Sequence, residues 1–163
     1  MMRTLCCVDG TNLEQVSGAI GTLLKAEART IAVLYVTDTE PEIQMEQQRE
    51  RHLRPLHSPR PRREQIQQVE GAMAQEILDE ASHALGGAEM LRRTGRPERA
   101  IVQAALEWQA DLIVICSRSP NGGGPRLGPK SPGHTARFVV DHAPCPVLLV
   151  RPRSNTVEPD PLR

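Results

Sequence analysis

The sequence has very few aromatic residues, with one Phe, one Trp and one Tyr, or 2% of its 163 residues. Leu, Val, Ile and Ala must therefore fill the core of a chain that is 39% hydrophobic. Aliphatic cores of this kind suit parallel strands that are covered by helices on both faces. There is also no excess of either charge, because 20 Lys and Arg stand against 20 Asp and Glu. We expect no nucleic-acid partner, since phosphate binding needs a surplus of basic charge.

Long apolar runs are missing as well, and none approaches the roughly 20 residues that a membrane span requires. The first eight residues lack the basic region and the apolar stretch of a signal peptide. Four cysteines, at positions 6, 7, 116 and 145, form no C-x-x-C pair, and their spacing supports no metal site. Small buried thiols in strands are the expected role for them. These absences favour a cytoplasmic protein with no membrane partner.

Short apolar runs alternate with helical patterns along most of the chain. The clearest strand, at residues 30–36, is β-branched and apolar on both faces. Helices are expected to begin at Asn12, as a capping residue, and at Pro97, as a first-turn proline. The remaining runs predict strands at 4–8, 88–94, 111–116 and 146–151, and helices at 64–85 and 133–141. The alternation predicts one doubly wound α/β domain over residues 1–151, with a five-stranded parallel sheet of order 3-2-1-4-5 and helices on both faces.

Three stretches depart from this alternation. Residues 40–63 are rich in Pro and Arg and are interpreted as a basic variable loop, with a short helix at 42–52. Residues 117–132 form a Gly/Pro-rich loop, and residues 152–163 are interpreted as a flexible tail. Ligands of doubly wound sheets bind at the carboxyl ends of the strands, where strand order reverses. The turn after the first strand and the 116–135 segment meet in one crevice if strands 1 and 4 are neighbours.

Several motifs carry a resemblance to a known family. They are Leu-Cys-Cys-Val-Asp-Gly-Thr at 5–11, Gly-Arg-Pro at 95–97 followed by Ile101, and His-Ala-Pro-Cys-Pro-Val-Leu-Leu-Val-Arg at 142–151. With them, the chain from 3 to 151 resembles the universal stress protein family. Members divide into ATP binders and non-binders, and the binders share a G-x2-G-x9-G-[ST] stretch after the fourth strand. The resemblance also implies a homodimer that pairs through the last strand.

The family's nucleotide site carries over in part. By resemblance Asp9 matches the aspartate that contacts the nucleoside, Val36 lies where the main chain contacts adenine, and Gly133 matches the third glycine. His134 occupies the phosphate-contacting Ser/Thr position, with Thr135 one residue later. The family's Gly-Ser-x-Gly is replaced here by Cys-Ser-Arg-Ser at 116–119, and Cys116 adds a side chain where glycine lets the backbone approach phosphate. Either the spacing from Ser119 to the third glycine is four residues too long, or Gly123 serves as the second glycine and the first is lost.

Two functional hypotheses follow from this pattern, beside a third possibility, a protein that binds a small oxyanion or a cyclic nucleotide at the helix start after Gly133. In the first, the protein is a stress-response or signalling module that acts through a homodimer at 146–151 and an unidentified protein partner, with a degenerate nucleotide crevice. In the second, it is a switch that binds ATP, with Mg²⁺, or a related nucleotide at the altered 116–135 loop. The sequence offers no catalytic triad and no G-x-S-x-G motif, so we do not expect an enzyme.

Overall fold

Helices and strands alternate along the chain as the hydrophobic pattern predicts. The computed structural model describes residues 1–24, 29–39, 60–117 and 132–151, and for residues 60–63 the backbone alone. Nine elements lie in these ranges: β1 (Met2–Val8), α1 (Leu13–Leu23), β2 (Arg29–Asp38), α2 (Arg60–Ala84), β3 (Glu89–Gly95), α3 (Pro97–Glu107), β4 (Leu112–Cys116), α4 (His134–His142) and β5 (Val147–Val150).

The strands form a single sheet of order β3-β2-β1-β4-β5 in which every neighbouring pair is parallel. The predicted fold class and strand order are therefore confirmed. The strand order reverses at β1, which pairs with β2 on one side and with β4 on the other. This reversal brings the chain after β1 next to the chain after β4, as the sequence analysis required for a shared crevice.

Two aliphatic cores, one on each face of the sheet, hold the layers together. On one face the buried strand residues Leu5, Leu34 and Ile113 pack with α3 and α4. On the other face Cys6 and Val114 pack with residues of α1 and α2. Neighbouring residues of each strand point to opposite faces, so a strand covered on both sides is apolar throughout. The helices therefore cover both faces of the sheet. Cys6 and Cys7, two of the four cysteines, are buried in β1.

Two local predictions need correction. The basic loop was expected to run to residue 63, but α2 already begins at Arg60. Pro61 lies in the first turn of that helix, where its missing N–H has no intrahelical partner to lose. Asn12 does occupy the position before α1, but its side chain makes no capping hydrogen bond. Its Nδ2 donates to the carbonyl of Cys7 at 3.2 Å, and its Oδ1 accepts from the N–H of Asp9 at 3.1 Å, so it closes the β1–α1 turn instead.

Other expectations fall outside the described residues. They are the short helix at 42–52, the loop at 40–59, residues 118–131 of the Gly/Pro-rich loop with Gly123, and the tail at 152–163. Within the described ranges no helix combines the length and the apolar character that crossing a membrane requires.

Candidate functional site

A cleft of about 440 Å³ lies at the carboxyl ends of the central strands. Its walls come from the end of β1 and the turn after it, from residues 34–36 of β2, from the start of α3, from the end of β4, and from the segment that leads into α4. The predicted site residues in its lining are Asp9, Val36, Gly133, His134 and Thr135. The structure thus brings five of the six predicted residues together, and Gly123 lies outside the described residues.

Asp9 is held in a tight turn at the end of β1. Its Oδ1 accepts two hydrogen bonds, from the N–H of Thr11 at 2.8 Å and from the hydroxyl of Thr11 at 2.9 Å. Such a bond from an aspartate to the main chain two residues on forms an Asx turn. Asp9 is nevertheless exposed at the cleft, so its carboxylate is oriented by the turn and also faces the cavity.

The main chain at Val36 is positioned by a difference in strand length. The ladder between β1 and β2 ends at the pair Val8–Tyr35, whereas β2 continues to Asp38 along β3. On its β1 side, the main chain at Val36 therefore lies beyond the ladder and borders the cleft. A flat ring that enters here can be held by main-chain groups and by the apolar side chain of Ile101.

The third wall is the amino-terminal end of α4. Gly133 occupies the position before the helix with φ of 91°, in the left-handed region that favours glycine. The first turn of any helix has N–H groups without intrahelical partners, and the helix dipole makes this end attractive to anions. His134 and Thr135 begin the helix and line the cleft. This wall can accept a phosphate group.

Glu98 is a feature of this wall that sequence analysis missed. It lies in the first turn of α3 and is buried, with 8% of its surface exposed. Its Oε1 lies 3.8 Å from Nε2 of His134, whose side chain is 81% exposed. A buried carboxylate therefore stands beside the end of α4 that attracts anions. The available signal was an acidic residue directly after the first-turn proline, but that pattern also fits ordinary stabilisation of a helix start.

Two thiols line the cleft and are poor nucleophiles. Burial and, to a smaller extent, the Asp9 carboxylate raise the pKa of the Cys116 thiol to about 11, although a hydrogen bond with Asn12 lowers it in part. Burial also raises the pKa of Cys7. Both thiols stay protonated near neutral pH, and only the thiolate attacks electrophiles or binds metals well. Among the residues of known placement, no three His, Cys, Asp or Glu side chains are grouped to hold a metal ion.

The arrangement as a whole is suited to a ligand with three parts. A carboxylate can accept from sugar hydroxyls, the main chain of β2 at Val36 can bind a flat ring, and the start of α4 can bind an anion. The three walls surround one cavity, so a single molecule can contact all of them.

Known proteins resemble this chain in sequence and in fold. Residues 1–151 match the model of the universal stress protein family. A curated relative from Thermus aquaticus, "Universal stress protein in QAH/OAS sulfhydrylase 3'region", is 49% identical over 57 residues, which is 35% of this chain and 39% of that relative's length.

Two solved structures show the same fold. The universal stress protein UspA from Lactobacillus plantarum has a TM-score of 0.64 at 22% identity, over 92% of this chain and 97% of its own. A universal stress protein family protein from Arabidopsis thaliana, solved with AMP bound, has a TM-score of 0.61 at 16% identity, over 99% of this chain and 98% of its own.

Proposed function

The chain belongs to the universal stress protein family, and from that premise we propose that it binds a nucleotide in the cleft and acts by binding rather than by turnover. The observation that supports this most is the convergence of Asp9, Val36, Gly133, His134 and Thr135 on one cavity. These residues come from three separate parts of the chain, and each offers a group that suits a different part of a nucleotide.

Each wall has a role in this proposal. The Asp9 carboxylate accepts hydrogen bonds from the ribose hydroxyls, and its Asx turn fixes its direction before the ligand arrives. The base lies against the main chain at Val36, and the phosphate meets the N–H groups at the start of α4, after Gly133. Preorganised groups of this kind reduce the entropy that binding would otherwise cost.

We propose a nucleotide with a single phosphate rather than ATP with Mg²⁺. The Glu98 carboxylate lies 3.8 Å from the imidazole of His134 and opposes the accumulation of negative charge at this wall. His134 also stands where ATP-binding relatives have a small hydroxyl. A single phosphate brings less negative charge to this wall than three phosphates do. The Arabidopsis relative was solved with AMP bound.

The cleft residues support binding without catalysis. The thiols of Cys7 and Cys116 both have raised pKa values, which keeps them protonated. The Asp9 Oδ1 is occupied by Thr11 in the turn. A nucleophile needs activation by a base or by a lowered pKa, and the two thiols have the opposite tendency.

Asp9→Asn tests the proposal because it removes the charge and keeps an oxygen that can accept from Thr11. We expect its affinity for AMP, measured by equilibrium dialysis, to fall at least roughly tenfold, while the unfolding midpoint changes little. Asp141→Asn, at an exposed position in the last turn of α4, is the matched control and should leave affinity unchanged. Equal AMP affinity in Asp9→Asn and wild type would contradict the assigned role of Asp9.

We also propose a homodimer that pairs through β5. Through this dimer, ligand binding in the cleft affects the binding of a protein partner. In the described part of the sheet β5 is an edge strand, with β4 on one side. The carbonyl of Pro146 accepts from the N–H of Ile113 in β4, and that of Val150 from the N–H of Ser117, directly after β4. The main-chain groups of Val147 and Leu149 therefore face the open edge. An apolar edge with free main-chain groups is a template for another strand.

Val147→Pro tests this pairing because it removes one outward N–H and keeps an apolar side chain. We expect light scattering during size exclusion to show a shift from dimer to monomer. Val147→Thr keeps the N–H and should remain dimeric. A monomeric wild type, or a Val147→Pro variant that stays dimeric, would count against the β5 interface.

A further inference from the structure

His134 and Glu98 join α4 to α3 at the anion-binding wall of the cleft. Nε2 of His134 lies 3.8 Å from Oε1 of Glu98. The His134 side chain is 81% exposed and that of Glu98 only 11%, so the carboxylate is largely withdrawn from water and the imidazole is not. The imidazole also lines the cleft, where the first turn of α4 attracts anions. One ring therefore borders a buried carboxylate and the proposed place of a phosphate.

The two ring nitrogens make this position sensitive to protonation. A neutral imidazole has one N–H group, so it can donate to the carboxylate or to a phosphate, but not to both. The imidazolium has two N–H groups and can donate to both anions at once. Because Nε2 lies beside Glu98, Nδ1 is the nitrogen left for a ligand. The charge of a histidine changes between about pH 5 and 8, so the change falls near physiological pH.

Glu98 is the charged residue that contacts this ring from the elements packed against α4, which are α3 and β5. The strand β5 carries no titratable side chain. The other charged or titratable side chains on or directly beside these elements in the described ranges, Cys145 aside, are exposed to water: Arg96, Arg99 and Glu107 at α3, Arg137, Asp141 and His142 on α4, and Arg151 after β5. Exposed charges are screened by water and salt, whereas the Glu98 carboxylate is screened much less.

The other walls of the cleft add one carboxylate. Their titratable residues are Asp9, Tyr35, Cys7 and Cys116. Burial raises the pKa of both thiols, and also that of Cys145 between α4 and β5, so all three stay protonated near neutral pH. Asp9 is held in its turn by Thr11 at the end of β1. Protonation of His134 is therefore the change in charge that this wall can undergo between about pH 5 and 8.

We propose that His134 binds the ligand phosphate in its protonated form, with Glu98 as its second anionic partner, so that nucleotide binding takes up a proton. This role rests on the proposed function, because it names the charge state in which the cleft accepts its nucleotide. While the ring is neutral, the Glu98 charge opposes the phosphate. A protonated ring compensates that charge and donates one N–H to each anion.

The end of α4 makes protonation depend on the ligand. The amino-terminal end of a helix disfavours a cation, so in the free protein the dipole of α4 opposes the imidazolium that Glu98 favours. A bound phosphate adds a second anion and favours the imidazolium further. Coupling of this kind is reciprocal: a ligand that promotes protonation must itself bind more tightly when the ring is protonated. Affinity for the nucleotide therefore rises as pH falls from about 8 to about 5.5.

His134→Gln tests the proposal, since glutamine keeps an N–H donor and carries no charge. Equilibrium dialysis gives the AMP dissociation constant of both proteins from about pH 5.5 to 8 at constant ionic strength. The phosphate of AMP also titrates in this range, but equally for both proteins, so the ratio of the two constants isolates the ring. We expect the advantage of wild type over His134→Gln to grow roughly tenfold from the alkaline to the acidic end.

Two controls accompany this series. Adenosine has no phosphate, so its affinities for wild type and His134→Gln should keep a constant ratio over the same pH range. His142→Gln removes an exposed histidine in the last turn of α4, away from the cleft lining, and should keep the wild-type dependence of AMP affinity on pH.

Glu98→Gln tests the second anionic partner. The gain in AMP affinity from this exchange should be larger at about pH 8 than at about pH 5.5, because the imidazolium compensates the carboxylate at acidic pH. Two results would overturn the proton-coupled role of His134 while leaving nucleotide binding in place: a ratio of wild type to His134→Gln that does not change with pH, or an equal gain from Glu98→Gln at both ends. Absence of AMP binding at every pH would instead overturn the proposed function, and the role of His134 with it.

Discussion

At the scale of residues, two contacts define the walls of the cleft. The Asp9 carboxylate is oriented by an Asx turn, in which its Oδ1 accepts from the N–H of Thr11 at 2.8 Å. At the start of α4, Nε2 of His134 lies 3.8 Å from Oε1 of Glu98, and this contact joins α4 to α3 across 36 residues of sequence.

The turn after β1 requires glycine at position 10. Its φ is 86°, and a Cβ built there would lie 3.0 Å from Cδ1 of Ile77 on α2. We expect Gly10→Ala to lower the free energy of unfolding by about 1–3 kcal/mol, because alanine is strained at this φ and the Ile77 side chain must move. Urea unfolding measures this change.

Gly18→Ala is the control for that substitution. Gly18 is in α1 and a Cβ there would meet nothing within 4 Å, so the exchange should stabilise the protein by about 0.5–1 kcal/mol. Equal effects of the two exchanges would mean that the turn does not require glycine.

The buried carboxylate of Glu98 gives a prediction about ligand charge. We expect Glu98→Gln to tighten AMP binding by roughly threefold, because it removes a negative charge beside the phosphate wall and keeps the side chain's shape. The measurement is the AMP dissociation constant at constant ionic strength. Glu107→Gln, on an exposed residue at the other end of α3, should have no effect. Weaker binding in Glu98→Gln would show that the carboxylate assists the ligand instead.

At the scale of elements, periodicity located the five strands of the described ranges and most ends of the helices there. The strands could be predicted because they are short apolar runs covered on both sides, as β1 and β4 are. The start of α2 was placed four residues too late, since a run of Arg and Pro carries no apolar period to mark a helix. The regular apolar spacing of Ile66, Val69 and Met73 is visible in sequence, but the exposure of these side chains depends on which face of α2 packs on the sheet.

The buried thiols of β1 predict a loss of stability at alkaline pH. Burial raises the pKa of Cys6 from its ordinary value of 9.0 to about 12. Between these values the unfolded thiol releases its proton while the folded one retains it, so stability falls as pH rises above about 9. For one thiol the slope approaches about 1.4 kcal/mol per pH unit.

Urea unfolding at several pH values checks this slope. In Cys6→Ala, the decrease of the unfolding free energy with alkaline pH should be smaller by the contribution of about one proton. The smaller side chain also lowers stability, but by an amount that does not depend on pH. Cys145→Ala is the comparison at a partly exposed thiol and should change the slope less. Identical slopes in Cys6→Ala and wild type would show that Cys6 is not responsible.

At the scale of the whole molecule, the fold and the family could be recognised from sequence, and the choice of ligand could not. A doubly wound sheet follows from alternating strands and helices, and the strand order places the cleft where β1 and β4 meet. Affinity depends instead on local departures, such as His134 at a hydroxyl position and Glu98 beside it. Differences of a few kcal/mol in binding free energy decide which ligand such a site binds. No pattern of apolar residues encodes these differences.

The proposed ligand of the cleft is a nucleotide with one phosphate. Calorimetric titration of AMP into protein stripped of carried-over nucleotide tests it most directly, with ATP and Mg²⁺ as the parallel titration. We expect saturable heat for AMP with a dissociation constant on the order of micromolar, and binding of ATP at least roughly tenfold weaker. No heat with AMP at millimolar concentration, together with no nucleotide in the extract of the purified protein, would contradict it.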